Sequence, residues 1–468
     1  MSEKKSDAHK VTAVRALARW ILSIDSASLP AAEITQAKLL LLDSIGCGFA
    51  GRHEEASYGV IAACKNLQST GPCTIIGEAG TTDMAHAALA NGTLIRVIDL
   101  NDYVVVVGKN GPSIGGHPSD NIPVALAAGQ ARKRSGLDIL AAIVLGYEVF
   151  GRVKGLMDRK TPWDGVSVSA FAAAGMAGRL IGLNDDRMAH ALALSGMSAP
   201  TPALVRRGGL SAAKSIANAL IAQRAIEAAL LAEQGLTGPM AIIEHEDGLH
   251  HVFPNGDPMA AFTVPLPAQS YIMGSNVKAY PCLATGQSAV AAGVKLHPSI
   301  KGGVESLKRI EVVMADYPIV HRQQHDPGRA KPHSRESADH SFQFLVAAAL
   351  TDGVFGLAQY ENERWRDPAF IALMDRMVMT TDATLNERAP GTYPCVVRVV
   401  DQNDKTHSAE VLFPPGYSNG GIAEAEVVEK FHATTSMLDK SRRDRIVAAV
   451  LGLDRAPNAD AVTATLGA

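Results

Sequence analysis

A change of rhythm near residue 236 constrains this chain more than any other feature. From Val11 to Ala232 apolar residues recur every three or four positions, interrupted at Gly, Pro and Asn-Asp pairs. That spacing is the pattern of successive amphipathic or buried helices. It predicts helices over 11–24, 31–49, 83–96, 121–134, 136–153, 166–182, 186–197 and 211–235, with Ser26, Asp120 and Gly235 as cap or stop residues. Hydrophobic residues make up 47% of the chain but aromatics only 5%, the excess lying on Ala-rich stretches. Small side chains on helices favour close helix packing.

After Leu236 the character shifts. Pro239, Pro254, Pro258, Pro265 and Pro267 fall within 237–270, so this stretch reads as a crossing between domains. Beyond it, β-branched or alternating runs at 307–315, 376–381, 394–400 and 406–413 are interleaved with helical spacing near 284–296, 335–351 and 367–375. This is an α+β pattern, and Asp401 to Lys405 suits the turn of an antiparallel hairpin. Helical spacing returns from Ala423 to Leu453. The expected fold is mainly α: a large all-helical domain over 1–270, a smaller α+β lid domain with an antiparallel sheet over 271–415, and C-terminal helices over 416–468 returning to the helical domain.

The 468 residues suffice for two cores, and 44 Lys+Arg against 47 Asp+Glu give no electrostatic reason to expect nucleic acid or an acidic membrane face. The strongest apolar run, Ile139 to Leu145, is far shorter than the roughly 20 residues of a bilayer span. Five cysteines without a CxxC pair indicate neither a disulfide framework nor a zinc ribbon, so a cytoplasmic location and a small-molecule ligand are expected.

The densest polar cluster is Asp99-Leu-Asn101-Asp102-Tyr103 followed by His117-Pro-Ser119-Asp120-Asn121. A carboxylate, a phenol and an imidazole on irregular backbone suit general acid/base work, while Asp120, Ser119 or Asp99 could equally serve as helix caps. Gly111-Pro-Ser113-Ile-Gly115 fits a nucleophile-elbow pattern, but Gly115-Gly116-His117-Pro118 would break the helix such an elbow requires. Arg206 to Lys214 precedes a helix of small residues, which leaves Lys214 at a helix start. A cation is disfavoured there and points to a compensating anion, a surface lysine being the plainer alternative. Asn276-Val-Lys278-Ala-Tyr280-Pro281 and Ser334-Arg335-Glu-Ser337-Ala-Asp339-His340-Ser341 add cations able to clamp carboxylates, though Ser334 and Ser337 also suit a capping box. His245, His250 and His251 lie close together in a spacing that matches no zinc signature.

Taken in order, Leu42-Asp-Ser-Ile-Gly-Cys47, Asn91-Gly-Thr93 leading to Asp99-Leu-Asn-Asp102, His117-Pro-Ser-Asp-Asn121, Arg207-Gly-Gly-Leu-Ser-Ala-Ala-Lys214, Gln234-Gly-Leu-Thr-Gly-Pro239, Lys278-Ala-Tyr-Pro281 and Arg335-Glu-Ser-Ala-Asp-His-Ser341 resemble landmarks of the MmgE/PrpD family over nearly the whole chain. The resemblance implies a cofactor-independent, metal-free homodimer with a cleft between a helical domain and a lid. It also implies that Asp99, Tyr103, His117, Lys214 and Lys278 face that cleft. On this reading His117 and Lys214 are the acid/base groups, Asp99 orients one of them, and Tyr103, Arg207, Lys278, Arg335 and Trp163 contact a small carboxylate substrate.

The activity so implied is that of a lyase, dehydratase or decarboxylase, acting on a di- or tricarboxylic acid by proton transfer beside a carboxylate. The alternatives are an epimerase or racemase working by 1,1-proton transfer, and a non-catalytic metabolite-binding member. Two departures bear on the choice. Gly165 follows Trp163-Asp164 where dehydratase-type members carry a histidine, and Cys282-Leu-Ala-Thr285 has no histidine after the Lys278 motif. The valine-rich stretch from Tyr103 to Gly116 also suggests an altered pocket mouth.

Overall fold

The structure is a computed structural model that describes residues 11–108, 111–157, 161–254, 257–263, 270–418 and 421–468, without the side chains of 107, 108, 111–114 and 263. Pro265, Pro267 and the Ser113 side chain therefore lie outside the described residues.

The helical domain is built from α1 (Ala13–Ser23), α2 (Ala31–Ala50), α3 (Glu55–Asn66), α4 (Met84–Arg96), α5 (Ile122–Ala131), α6 (Gly136–Leu156), α7 (Ser169–Ile181), α8 (Asp185–Gly196) and α9 (Ala213–Glu233). Of these, α3 escapes the periodicity reading, because Ser57, Ile61 and Cys64 are its only buried residues. A stripe that narrow gives a weak periodic signal. Small residues set the spacing of the bundle. A Cβ on Gly92 of α4 would stand 3.0 Å from the Ala219 Cβ of α9. This close approach draws the start of α9, and hence Lys214, toward the end of α4. Helix α9 is long and apolar enough to cross a membrane, yet it packs against α4, α7 and α8 as a core helix.

Among the described residues the strands are β1 (Cys73–Thr74), β2 (Thr81–Thr82), β3 (Tyr103–Gly108), β4 (Gly111–Gly116), β5 (Ser275–Asn276), β6 (Leu307–Ala315), β7 (Met377–Asp382), β8 (Cys395–Asp401) and β9 (Thr406–Val411). The valine-rich stretch is an antiparallel β3–β4 hairpin whose other edge pairs with β5. Its glycine-serine-glycine pattern thus sits in a strand rather than at a strand-to-helix turn, so no nucleophile elbow forms. The lid sheet has the order β7-β6-β8-β9. Its β6–β8 and β8–β9 pairs are antiparallel, and β7 joins the other edge in parallel. The intervening helices Phe342–Asp352 and Pro368–Met374 permit that parallel return.

Two large hydrophobic cores result among the described residues, beside two small satellite clusters. One runs from Ala13 to Val277 and takes in Val427, Phe431, Ile446 and Val450 from the C-terminal helices; the other is confined to Cys282–Ala409. Helix Glu424–Thr434 lies on α2 at Gly46, where an added Cβ would sit 2.7 Å from Thr434 Oγ1. The chain re-enters the helical domain through Gly416, whose φ is +76° and whose carbonyl accepts from the Val277 amide at 3.0 Å. A Cβ there would fall 1.9 Å from the Val277 carbonyl oxygen. Gly416→Ala is therefore expected to cost at least about 2 kcal/mol, from left-handed strain plus overpacking, read as a lower melting temperature.

Candidate active site

The centre is assembled from segment ends. Helix α4 stops at Arg96, and the chain turns through Asp99 in a left-handed conformation, φ +52°. The Asp99 amide donates to the Arg96 carbonyl at 3.1 Å, so this residue does close the helix. Its side chain meanwhile faces inward. Arg96 Nη1 donates to Asp99 Oδ1 at 2.5 Å, Lys214 Nζ lies 3.1 Å from Oδ2, and Lys278 Nζ donates to Oδ1 and, at 2.9 Å, to the Asp99 carbonyl. Burial alone would raise the Asp99 carboxyl, but Arg96, Lys214 and Lys278 outweigh it and hold it well below the usual range.

The second carboxylate is Asp339, from the lid. Lys214 Nζ donates to both of its oxygens at 2.9 and 2.8 Å, Arg335 Nη1 donates to Oδ2 at 2.8 Å, and His340 Nδ1 bonds Oδ1. Against the cost of burial, Lys214 and then His340 bring Asp339 down to about 2. Burial and the Lys214 charge lower His340 to about 3, so its imidazole is neutral. The anion expected to compensate Lys214 at its helix start is thus the protein's own pair of carboxylates. Arg335 is held further by Glu54, Nε to Oε2 at 3.4 Å, and by the face of Tyr360, 4.4 Å from the ring centre.

His117 lies beside this cluster. Its Nδ1 is 2.5 Å from the Asp102 carbonyl oxygen. A carbonyl can only accept, so Nδ1 carries the proton and Nε2 keeps its lone pair. Burial, then the Arg96 and Lys278 charges, hold His117 well below its ordinary value, against the opposing pull of Asp99.

Behind it, Asp102 accepts from Ser119 Oγ at 2.5 Å and from Tyr147 Oη at 2.7 Å, and burial raises its carboxyl to about 7. Asp120 accepts from Asn101 Nδ2 at 2.8 Å and is raised to about 6, mainly by burial. The capping reading of Ser119 and Asp120 therefore fails. Helix α5 has no side-chain cap, because both residues are spent on this internal network. Ser334 does cap the short helix Arg335–Ala338, accepting from the Ser337 amide at 3.2 Å.

Asp99, His117, Lys214, Lys278 and Arg335 are thus brought together, and Tyr103 is buried in β3 within electrostatic reach of Cys282, which in turn borders Lys278. Two candidates stand apart. Arg207 is exposed and forms no ion pair among the described residues. Trp163 is half-buried, its backbone bridged to Pro202. Asp164 beside it caps the turn Gly165–Val168 and meets Arg206 at 3.2 Å.

Three contributors, Arg96, Asp339 and His340, went unnominated. Arg96 could have been found from its placement one helical turn before Asp99, and the other two stand inside the Arg335 motif. A further cation, Lys430 of the C-terminal helix, lies 2.6 Å from Asp43 Oδ1 on α2 and donates to the Leu100 carbonyl at 2.7 Å, next to Asp99.

Donor atoms of Asp99, Asp339 and His340 lie within 4.8 Å of one another, close enough for a metal centre. The two carboxylates, however, are already engaged by four cations, Arg96, Lys214, Lys278 and Arg335, which stand where a metal ion would have to approach their oxygens. The histidines His245, His250 and His251 are exposed.

The MmgE/PrpD N-terminal domain matches residues 15–261 and the MmgE/PrpD C-terminal domain matches residues 280–454. The chain is 25% identical to the cis-aconitate decarboxylase-like protein oryM of Aspergillus oryzae, over 94% of both chains. It is 26% identical to the human cis-aconitate decarboxylase over 92% of this chain and 90% of the relative. With the 2-methylcitrate dehydratase of Cupriavidus necator it shares 26% identity over 75% of this chain and 73% of the relative. With a family model matching each half, the chain belongs to the MmgE/PrpD family.

Proposed function

We propose that the protein is a cofactor-independent lyase acting on a small di- or tricarboxylic acid, with proton transfer at a carbon beside a carboxylate. The observation that carries this reading is a neutral imidazole, its Nδ1 tied to the Asp102 carbonyl and its Nε2 without a hydrogen-bond partner among the described residues, set beside the buried ammonium groups of Lys214 and Lys278. A carbon acid beside a carboxylate yields its proton only when a base is aligned with it and cations hold the charge that develops. His117 Nε2 takes or returns that proton. Lys214 and Lys278 hold the substrate carboxylate and the charge delocalised onto it, and Arg335 Nη2, buried and without a hydrogen-bond partner among the described residues, offers a further donor. The relatives named as decarboxylases and as a dehydratase support the same chemical class.

The test is incubation of the purified protein with cis-aconitate, 2-methylcitrate and related acids in deuterated water, followed by proton NMR. The expected result is loss of carbon dioxide or water from one of them. Deuterium incorporation without net loss would replace the lyase by an epimerase. Binding without turnover or exchange would leave a metabolite-binding protein.

A further inference from the structure

Beside the charged centre lies a second pair of guanidinium groups that the chemistry above does not use. Arg206 ends the turn Ala203–Arg206 of the helical domain, and Arg329 lies in the short helix Pro327–Ala330 of the lid. The Arg329 side chain reaches the Arg206 backbone at the seam, and the two charges lie within electrostatic reach of each other. Arg329 Nη2 donates to the Arg206 carbonyl at 3.1 Å, and Ser334 Oγ donates to the Leu210 carbonyl at 3.1 Å a few residues along. Glycine on both sides permits the approach, since a Cβ on Gly328 would stand 2.9 Å from the Gly208 carbonyl oxygen.

A clamp between the two domains would need one nitrogen of Arg329, yet the whole guanidinium is buried. Its Nη1 has no hydrogen-bond partner among the described residues, and Nε faces Asp326 at 3.3 Å without hydrogen-bond geometry. The Arg329 side chain is 9% exposed. Leaving a buried charged donor unsatisfied is costly, so the arrangement is that of a site awaiting an acceptor. Among the described residues the Arg206 guanidinium is committed through Nε alone, to Asp164 at 3.2 Å. The pair also adjoins the centre: Arg329 feels the charge of Asp339, and Arg206 that of Asp120.

We propose that Arg206 and Arg329 form a second carboxylate subsite at the domain seam, taking a terminal carboxylate of the substrate while Lys214 and Lys278 hold the one beside the reacting carbon. The inference rests on the polycarboxylate reading above and deepens it: the preferred ligand carries three carboxylates rather than two. Planar guanidinium donors suit a carboxylate better than a point charge does.

Calorimetric titration with two non-reacting acids tests it. Tricarballylate has three carboxylates, and methylsuccinate is the same skeleton lacking one terminal carboxylate. The wild-type protein is expected to bind tricarballylate at least about tenfold more tightly. Arg329→Met removes that advantage while leaving the methylsuccinate affinity unchanged. Should Arg329→Met fail to fold, as judged by its melting curve, Arg206→Gln carries the same comparison from a more exposed position.

Equal affinity of the wild type for the two acids, or a variant that keeps the tricarballylate advantage or weakens both acids alike, would overturn the subsite alone. Lys214→Met is the control for the reading beneath it and is expected to weaken both acids. Wild-type protein that binds neither acid, or a Lys214→Met variant that binds both as before, would overturn the polycarboxylate reading and the subsite with it.

Discussion

Lys214→Met is expected to lower turnover by about three orders of magnitude or more, because it removes the cation shared by Asp99 and Asp339 and the charge that steadies the transition state. The same change weakens the fold. Breaking a fully buried ion pair from one side costs about 3–5 kcal/mol. The lower end applies here, since Asp99 keeps Arg96 and Lys278, and Asp339 keeps Arg335 and His340. Activity must therefore be measured well below the melting temperature of the variant. Lys214→Arg, which restores a cation in a different shape, should recover stability far better than turnover. A methionine variant that folds and turns substrate over at the wild-type rate would remove Lys214 from the mechanism.

His117→Asn separates the base from the hydrogen bond that positions it. Asparagine can still donate to the Asp102 carbonyl from the place of Nδ1, but it has nothing at Nε2. The expected result is a fall in kcat of about 10²- to 10⁴-fold with little change in KM. There is also a signature in stability. Burial and neighbouring cations depress the folded-state value of His117, against 6.5 as its ordinary value. The unfolded chain therefore takes up a proton below pH 6.5 that the folded protein refuses, and stability is lost as pH falls through that range. One unit below 6.5 this single group accounts for roughly 1 kcal/mol, and the asparagine variant should lack that share of the acid sensitivity. Asp102 acts in the opposite sense. Its folded value of about 7 makes its contribution fullest below 3.8 and lost as pH rises to 7, so wild type and variant must be compared at each pH.

Helix positions were legible because most helices of the first domain bury broad stripes, and a broad stripe leaves a period in the sequence. Helix α3 shows the limit: with three buried residues it leaves almost none. The lid strands were legible for the corresponding reason, Leu307–Ala315 alternating or running β-branched along its length. The parallel edge formed by β7 was not, because pairing partners are chosen by tertiary packing rather than by any pattern within the strand.

In the site, the sequence reading marked Asp99, His117, Lys214, Lys278 and Arg335 through the family motifs, and the fold brings them into one cluster. It gave no hint that the lysine's counter-charge would come from Asp339, which is 125 residues away. Arg207, marked through the same motifs, is exposed and apart from the cluster, whereas the backbone carbonyl of its neighbour Arg206 receives Arg329 across the seam.

The ammonium group that Lys430 places on Asp43 and on the Leu100 carbonyl has a consequence for how the protein is made. Asp43 leaves the ribosome long before its partner, and at ordinary rates of synthesis the interval is on the order of tens of seconds. Throughout that time α2 carries, at a position destined for the dry interior, an acid without its Lys430 partner. The expected outcome is that a chain truncated before the late helix exchanges the amides around Asp99 faster than the full-length protein does.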